Sequence, residues 1–185
     1  MSRFIDRGAV VAGYVGIGMG LVIAVSFLLI IPIEPILWLL ALPAGLLIGY
    51  YANQRSDRRA GPWWRIVVNG LYAGAVTGLT MAVLLLAVKA LFFNADDGFR
   101  DAGQGGPITC QTGADCVYQR YLEDQEADLV AAGVTDAASF ADFYWAQQWS
   151  TAWFVLAVTL IGSLIGALLY GLARPRSRPQ ETATG

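Results

Sequence analysis

Apolar positions along the chain fall into four long runs separated by polar segments. Residues 8–31, 36–51 and 149–173 carry no charged side chain, and residues 66–93 carry only Lys89. A helix crossing a bilayer needs about 17–25 apolar residues, so three of the runs are long enough alone. The second is short, yet with Pro35 in its first turn it still reaches about 26 Å as a helix. Pro43 within it predicts a kink, tolerated where neighbouring helices supply partners for the freed carbonyl. Arg3 and Arg7 resemble the charged start of a signal peptide. The apolar run behind them exceeds the usual length of about 7–15 residues, and no Ala-x-Ala site follows, so a retained span is expected.

The expected fold is therefore all-α: a four-span transmembrane helix bundle with both termini cytoplasmic and a helical extracytoplasmic loop between spans three and four. Residues 1–93 hold spans one to three with short loops, 94–146 the outer loop, 147–173 span four, and 174–185 a disordered cytoplasmic tail. Within the outer loop, residues 94–109 are rich in Gly and Asp and read as irregular chain. From Cys116 onward the pattern turns helical: Val117, Tyr121 and Leu129 share one stripe, Tyr118 and Leu122 an adjoining one. Gly133 is placed to stop that helix. Thr135 and Asp136 offer an N-cap for a second helix over 137–147, rich in aromatic residues, which either bends at the membrane surface or runs straight into span four.

Charge supplies the orientation. Nine of the twelve basic residues (Arg3, Arg7, Arg55, Arg58, Arg59, Arg65, Arg174, Arg176 and Arg178) fall on one side of a four-span chain. The positive-inside rule makes that side cytoplasmic. The outer loop holds ten acidic residues against Arg100 and Arg120, a balance of −8. Tyr50, Tyr51, Trp63 and Trp64 mark the inner interface; Phe92, Phe93, Tyr144, Trp145 and Trp149 mark the outer one. The expected location is a bacterial plasma (inner) membrane, and eleven arginines against one lysine fit a GC-rich genome.

Composition narrows the chemistry. With 56% hydrophobic and 14% charged residues and a net charge of −2, the chain offers no basic domain for nucleic acid. Histidine is absent, which removes imidazole-held metals and haem and histidine general bases. No cofactor is expected. Cys110 and Cys116 flank five residues on the oxidising side, a spacing suited to a structural disulfide; a redox-active pair usually reads Cys-x-x-Cys with a cationic activator, whereas Asp115 stands here. Lys89 is the one charge deep in a span. It either snorkels to the headgroups or pairs with Glu34 at the outer turn between spans one and two. Asn94, Asp96, Asp97 and Gly98 lack EF-hand spacing and read as a solvated acidic surface.

Within the spans, Asn69, Ser26, Thr77, Thr80, Thr159 and Ser163 read as packing residues, with hydroxyls bonded to their own i−4 carbonyls unless they converge. Gly16/Gly20, Gly45/Gly49, Gly70/Gly74/Gly78 and Gly162/Gly166 place small residues four apart in every span, which predicts close helix packing. The layout is similar to that of uncharacterised bacterial four-span proteins with a helical loop between spans three and four. The likeness is one of layout alone and implies no activity or site residues.

The expected function is that of a small non-enzymatic membrane protein, an interaction, accessory or structural subunit working through its outer loop. The lipid bilayer is one partner; a second protein or another copy of the chain is the other. Tyr121, Glu123, Asp124, Phe140 and Tyr144 form the candidate partner surface. The first outer helix is also expected to lie as a lid over the aromatic residues of the second. A transporter or channel subunit is the alternative, and an outward-facing thiol–disulfide oxidoreductase a weaker one.

Overall fold

The computed structural model describes residues 4–26, 34–57, 62–95 and 113–173, with the side chains of 34–36, 123 and 124 outside that description. All regular structure among the described residues is helical: α1 (Arg7–Ala24), α2 (Glu34–Arg55), α3 (Trp63–Ala95), α4 (Ala114–Ala131) and α5 (Ala137–Leu172). Helices α1, α3 and α5 are each long and apolar enough to cross a membrane. The second apolar run forms α2, 22 residues that remain one helix through Pro43. The turn between the first two runs, the acidic stretch 96–112 and the tail from 174 lie outside the described residues.

Glycine decides how the bundle closes. A Cβ placed on Gly45 or Gly49 would run into the backbone carbonyl of Thr159 or Ser163; one on Gly162 or Gly166 would run into that of Leu42 or Leu46. The backbones of α2 and α5 therefore touch along both partners' small-residue faces. Without a hydrophobic driving force between helices in lipid, such close approach is what gives them contact energy. Residue pairing rises together along the two helices, from Trp38 beside Phe154 to Tyr50 beside Tyr170, so they run parallel. On α3, Gly70 faces Ala167, Gly74 faces Ser163 and Gly78 faces Leu156, an order that descends along α5 and makes this pair antiparallel. Gly16 faces Thr77 and Gly20 faces Thr80, so α1 runs with α3. All four small-residue motifs are thus used inside the bundle.

Apolar packing fills the remaining space. Ala24, Leu37, Met81, Leu85 and Val155 centre one buried cluster; Ala9, Ala12, Ile48, Ala52 and Ala73 centre a second, at the end where α1 begins. The hydroxyls behave as expected at three positions: Thr77, Thr80 and Thr159 donate to the carbonyls of Ala73, Val76 and Val155 at 2.7–2.9 Å. Ser163 does not. Its hydroxyl crosses to the carbonyl of Gly70 at 2.7 Å, an acceptor within reach because residue 70 has no side chain to hold the helices apart.

Helix α5 is continuous over 36 residues, about 54 Å, well beyond the roughly 30 Å of a hydrocarbon core. The second outer helix and the fourth apolar run are therefore one continuous helix, unbroken at residue 147. The 33-residue α3 ends beside the start of that rod, Phe93 meeting Tyr144 and Trp145 with ring centroids 4.9 and 5.4 Å apart.

Candidate functional site

Two regions hold the side chains with chemistry to offer, one at each end of the bundle. At the end where α3 and α5 project, α4 folds back onto them. Its sequence breaks helical geometry once, at Gln125 (φ −138°, ψ 32°). It then stops through Gly133 at φ 72°, with the Gly133 N–H donating to the Val130 carbonyl and the Val134 N–H to that of Leu129. This is a Schellman ending, and glycine is favoured there because the left-handed backbone costs it nothing. Three residues later Asp136 caps α5: its carboxylate accepts from the Ser139 N–H at 2.7 Å while the Ser139 hydroxyl accepts from the Asp136 N–H at 3.1 Å. Those bonds hold the Asp136 carboxyl below the ordinary aspartate range.

The two signals reverse the chain so that α4 lies on the first turns of α5. Phe93, Leu129, Val134, Phe140 and Tyr144 are buried together, with Val117, Tyr118, Tyr121 and Leu122 packed against them. Tyr121 meets Phe140 at 5.1 Å and Tyr144 at 6.2 Å, both edge-to-face, and burial pushes its phenol above the usual tyrosine range. The lid is therefore present. Of the expected partner surface, Phe140 and Tyr144 are buried within the chain and Tyr121 packs on them. Phe93 and Tyr144 likewise serve the cap's core rather than an interfacial belt, while Trp149 stays exposed. Glu123 and Asp124 lie on α4 with side chains outside the described residues. The acidic residues exposed on this module are Asp115, Glu126, Asp128, Asp136 and Asp142.

Cys116, in the first turn of α4, is 1% exposed and is not a free thiol. Cys110 lies outside the described residues. Lys89 is half-buried on α3, one turn before Phe93. Glu34 opens α2 with its side chain outside the described residues, so the expected Glu34–Lys89 pair falls there too. Gln148, one turn beneath Tyr144, was not anticipated: it is 3% exposed and its Oε1 has no hydrogen-bond partner among the described residues.

No family model, curated protein or solved structure matches the chain.

The opposite end holds a polar cluster that joins three helices. Asp6 stands at the N-cap of α1, yet its carboxylate makes no capping bond. It accepts instead from Asn69 Nδ2 at 2.8 Å and from Arg65 Nη1 at 3.3 Å, while its own N–H donates to Asn69 Oδ1 at 3.1 Å. Asn53, on α2, donates to the carbonyls of Gly49 and Ile66 at 3.2 and 3.1 Å. Arg65 also lies over the Trp64 ring, 5.1 Å from its centroid. Asn53 and Asn69 are wholly buried, so each must find partners or bear the cost of a desolvated amide. The cluster ties the start of α1 and the first turns of α3 to the last turn of α2. Sequence reading had Asn69 as a packing residue and Arg65 as an orientation marker. The available signal was two asparagines, Asn53 and Asn69, at the same predicted end of adjacent runs.

Among the described residues, no three or more Cys, Asp or Glu side chains converge as metal ligands would. The polar chemistry here is that of a staple, a carboxylate shared by an amide and a guanidinium.

Proposed function

We propose that this protein is an accessory or interaction subunit of a bacterial plasma membrane, non-enzymatic, with four spans, cytoplasmic termini and a docking module on the outer face. The observation that carries the reading is the α4 cap. A segment between two membrane helices has its own apolar cluster, its own capping signals and an exposed acidic face, which is more order than a mere connector needs. The alternating directions of α1, α2, α3 and α5 support α2 as the fourth span, and the arginines gathered at the Asp6 end support the orientation. Cys116, buried and not free, has Cys110 as the natural partner for a bridge that ties the acidic stretch to the first turn of α4.

On this reading the face presented outward carries Glu126, Asp128 and Asp142, and the partner offers basic groups. Photo-crosslinkers at residues 126 and 128, compared with one at Leu169 on the bundle's apolar surface, test it in intact membranes. A discrete crosslinked species from the two cap positions, weakened by raised salt, is expected. A chain that stays uncrosslinked from the cap and purifies as a lone monomer in mild detergent overturns it.

A further inference from the structure

We propose that the groove between α1 and α2 is a binding site for one anionic phospholipid, its acyl chain in the groove and its headgroup held by Arg7 and Arg55. The groove has a volume of about 320 Å³ and is lined by Val15 and Met19 from α1 and by Leu47, Ile48, Tyr51 and Gln54 from α2. Val15 and Leu47 are exposed apolar side chains, so hydrocarbon is what fits against them. Polarity changes along its length. From Leu47 to Gln54 is about 10 Å of helix rise, and the lining passes from aliphatic groups to a phenol and an amide.

Charge completes the site at that polar end. Steps of three and four residues keep a helix face, so Met19, Val15 and Gly8 share one face of α1, with Arg7 next to Gly8, and Ile48, Tyr51 and Arg55 share one face of α2. The α2 face thus ends in Arg55, and the α1 face ends beside Arg7. They end at the same place, because α1 and α2 run antiparallel there: a Cβ on Gly8 would meet the backbone of Arg55 and Ser56 at 2.6 Å. Arg7 and Arg55 are both exposed. The acidic group next to Arg7, Asp6, is already held by Arg65 and Asn69, and the exposed Asp57 follows Arg55 by two positions. Planar guanidinium donors suit a phosphate, and anionic lipids concentrate on the cytoplasmic leaflet, where the proposed topology puts this end. The inference rests on the membrane placement above but is independent of any partner at the α4 cap.

Native mass spectrometry of the detergent-purified chain, titrated with equal amounts of phosphatidylglycerol and phosphatidylcholine of matched acyl chains, reads the site directly. Wild type is expected to retain phosphatidylglycerol preferentially. Arg55→Gln and Arg7→Gln should each reduce that preference about fivefold, the effect of one basic group near an anionic headgroup. Val15→Trp should fill the groove and reduce adducts of both lipids, while Leu169→Trp on the apolar face of α5 leaves them unchanged. Equal retention of the two lipids by wild type, or an undiminished preference in the double arginine variant, overturns the proposal. Should Val15→Trp fail to fold, the arginine variants decide. Loss of the crosslinks at residues 126 and 128 bears on the cap alone, so the two readings fail separately.

Discussion

Asn69 is the residue on which the Asp6 end turns. It gives an acceptor to the Asp6 backbone and a donor to its carboxylate, a pairing across 63 positions of chain. Hydrogen bonds to charged groups contribute about 1.5–3 kcal/mol, more than the partly exposed Arg65–Asp6 pair, which is in the range of about 1 kcal/mol. Asn69→Ala should therefore cost about 2 kcal/mol and free the start of α1, read as faster amide exchange over residues 7–10. Arg65→Gln should cost less than half of that. At the other end, Tyr121→Ala removes a half-buried ring and should cost the α4 contact about 2 kcal/mol, below the roughly 3–5 kcal/mol of a fully buried aromatic. Exchange over residues 118–130 should rise while insertion of the helices is unchanged; Tyr121→Phe should keep the contact.

Asp136 carries a pH dependence whose sign follows from its depressed carboxyl. Its cap is fully formed above the unfolded-state value, near about 3.9, and is lost as pH falls through the lower folded value. Amides 137–140 should stay protected between about pH 5 and 7 and fray only as the pH falls below the ordinary aspartate value, once intrinsic exchange rates are allowed for. Asp136→Ala should fray them at every pH.

At the scale of elements, the parallel pair α2 and α5 is held by backbone-to-backbone approach, so it has no slack. Gly49→Ala or Gly166→Ala sets a methyl against the carbonyl of Ser163 or Leu46, and the helices must separate. Overpacking of this kind costs about 1–3 kcal/mol, which a thermal melt in detergent would read as a clear fall in midpoint. Gly18 is the control. A Cβ there meets nothing within 4 Å, so Gly18→Ala should be neutral or stabilise by up to about 1 kcal/mol through helix propensity. The same logic explains why α5 is unbroken at residue 147. Its cap at Asp136 and its packing against Phe93 hold the projecting turns in helical register with the membrane-crossing ones.

For the whole molecule, the arrangement is a bundle of alternating direction with a polar staple at one end and a folded cap at the other. If four spans and cytoplasmic termini are correct, reporter fusions at residue 185 and near residue 103 will lie on opposite sides of the membrane; a cytoplasmic signal from residue 103 would refute the topology. Alkylation of the unreduced protein should leave Cys116 unlabelled, and labelling of both cysteines would refute the bridge to Cys110. Its loss should loosen the first turn of α4 and spare the bundle, whose buried clusters among the described residues are built from α1, α2, α3 and α5.

Local pattern alone settled that the described chain is helical, that apolar runs long enough to cross a membrane are present, that Gly133 ends one outer helix and that Asp136 begins the next. Each of these depends on residues within a few positions of one another, through periodicity, capping and backbone freedom. The small-residue spacing also announced close packing. Which glycine faces which helix, however, depended on the way the rods assemble, and so did the meeting of Asp6 with Asn69 and the burial of Gln148. The lid of α4 over the aromatic turns of α5 was legible in the stripes of Val117, Tyr121 and Leu129, but not how deeply it buries Phe140 and Tyr144. Local stripes say which faces are apolar and can meet; how far each ring is removed from water depends on the depth at which the two helices pack, which only the tertiary contacts set.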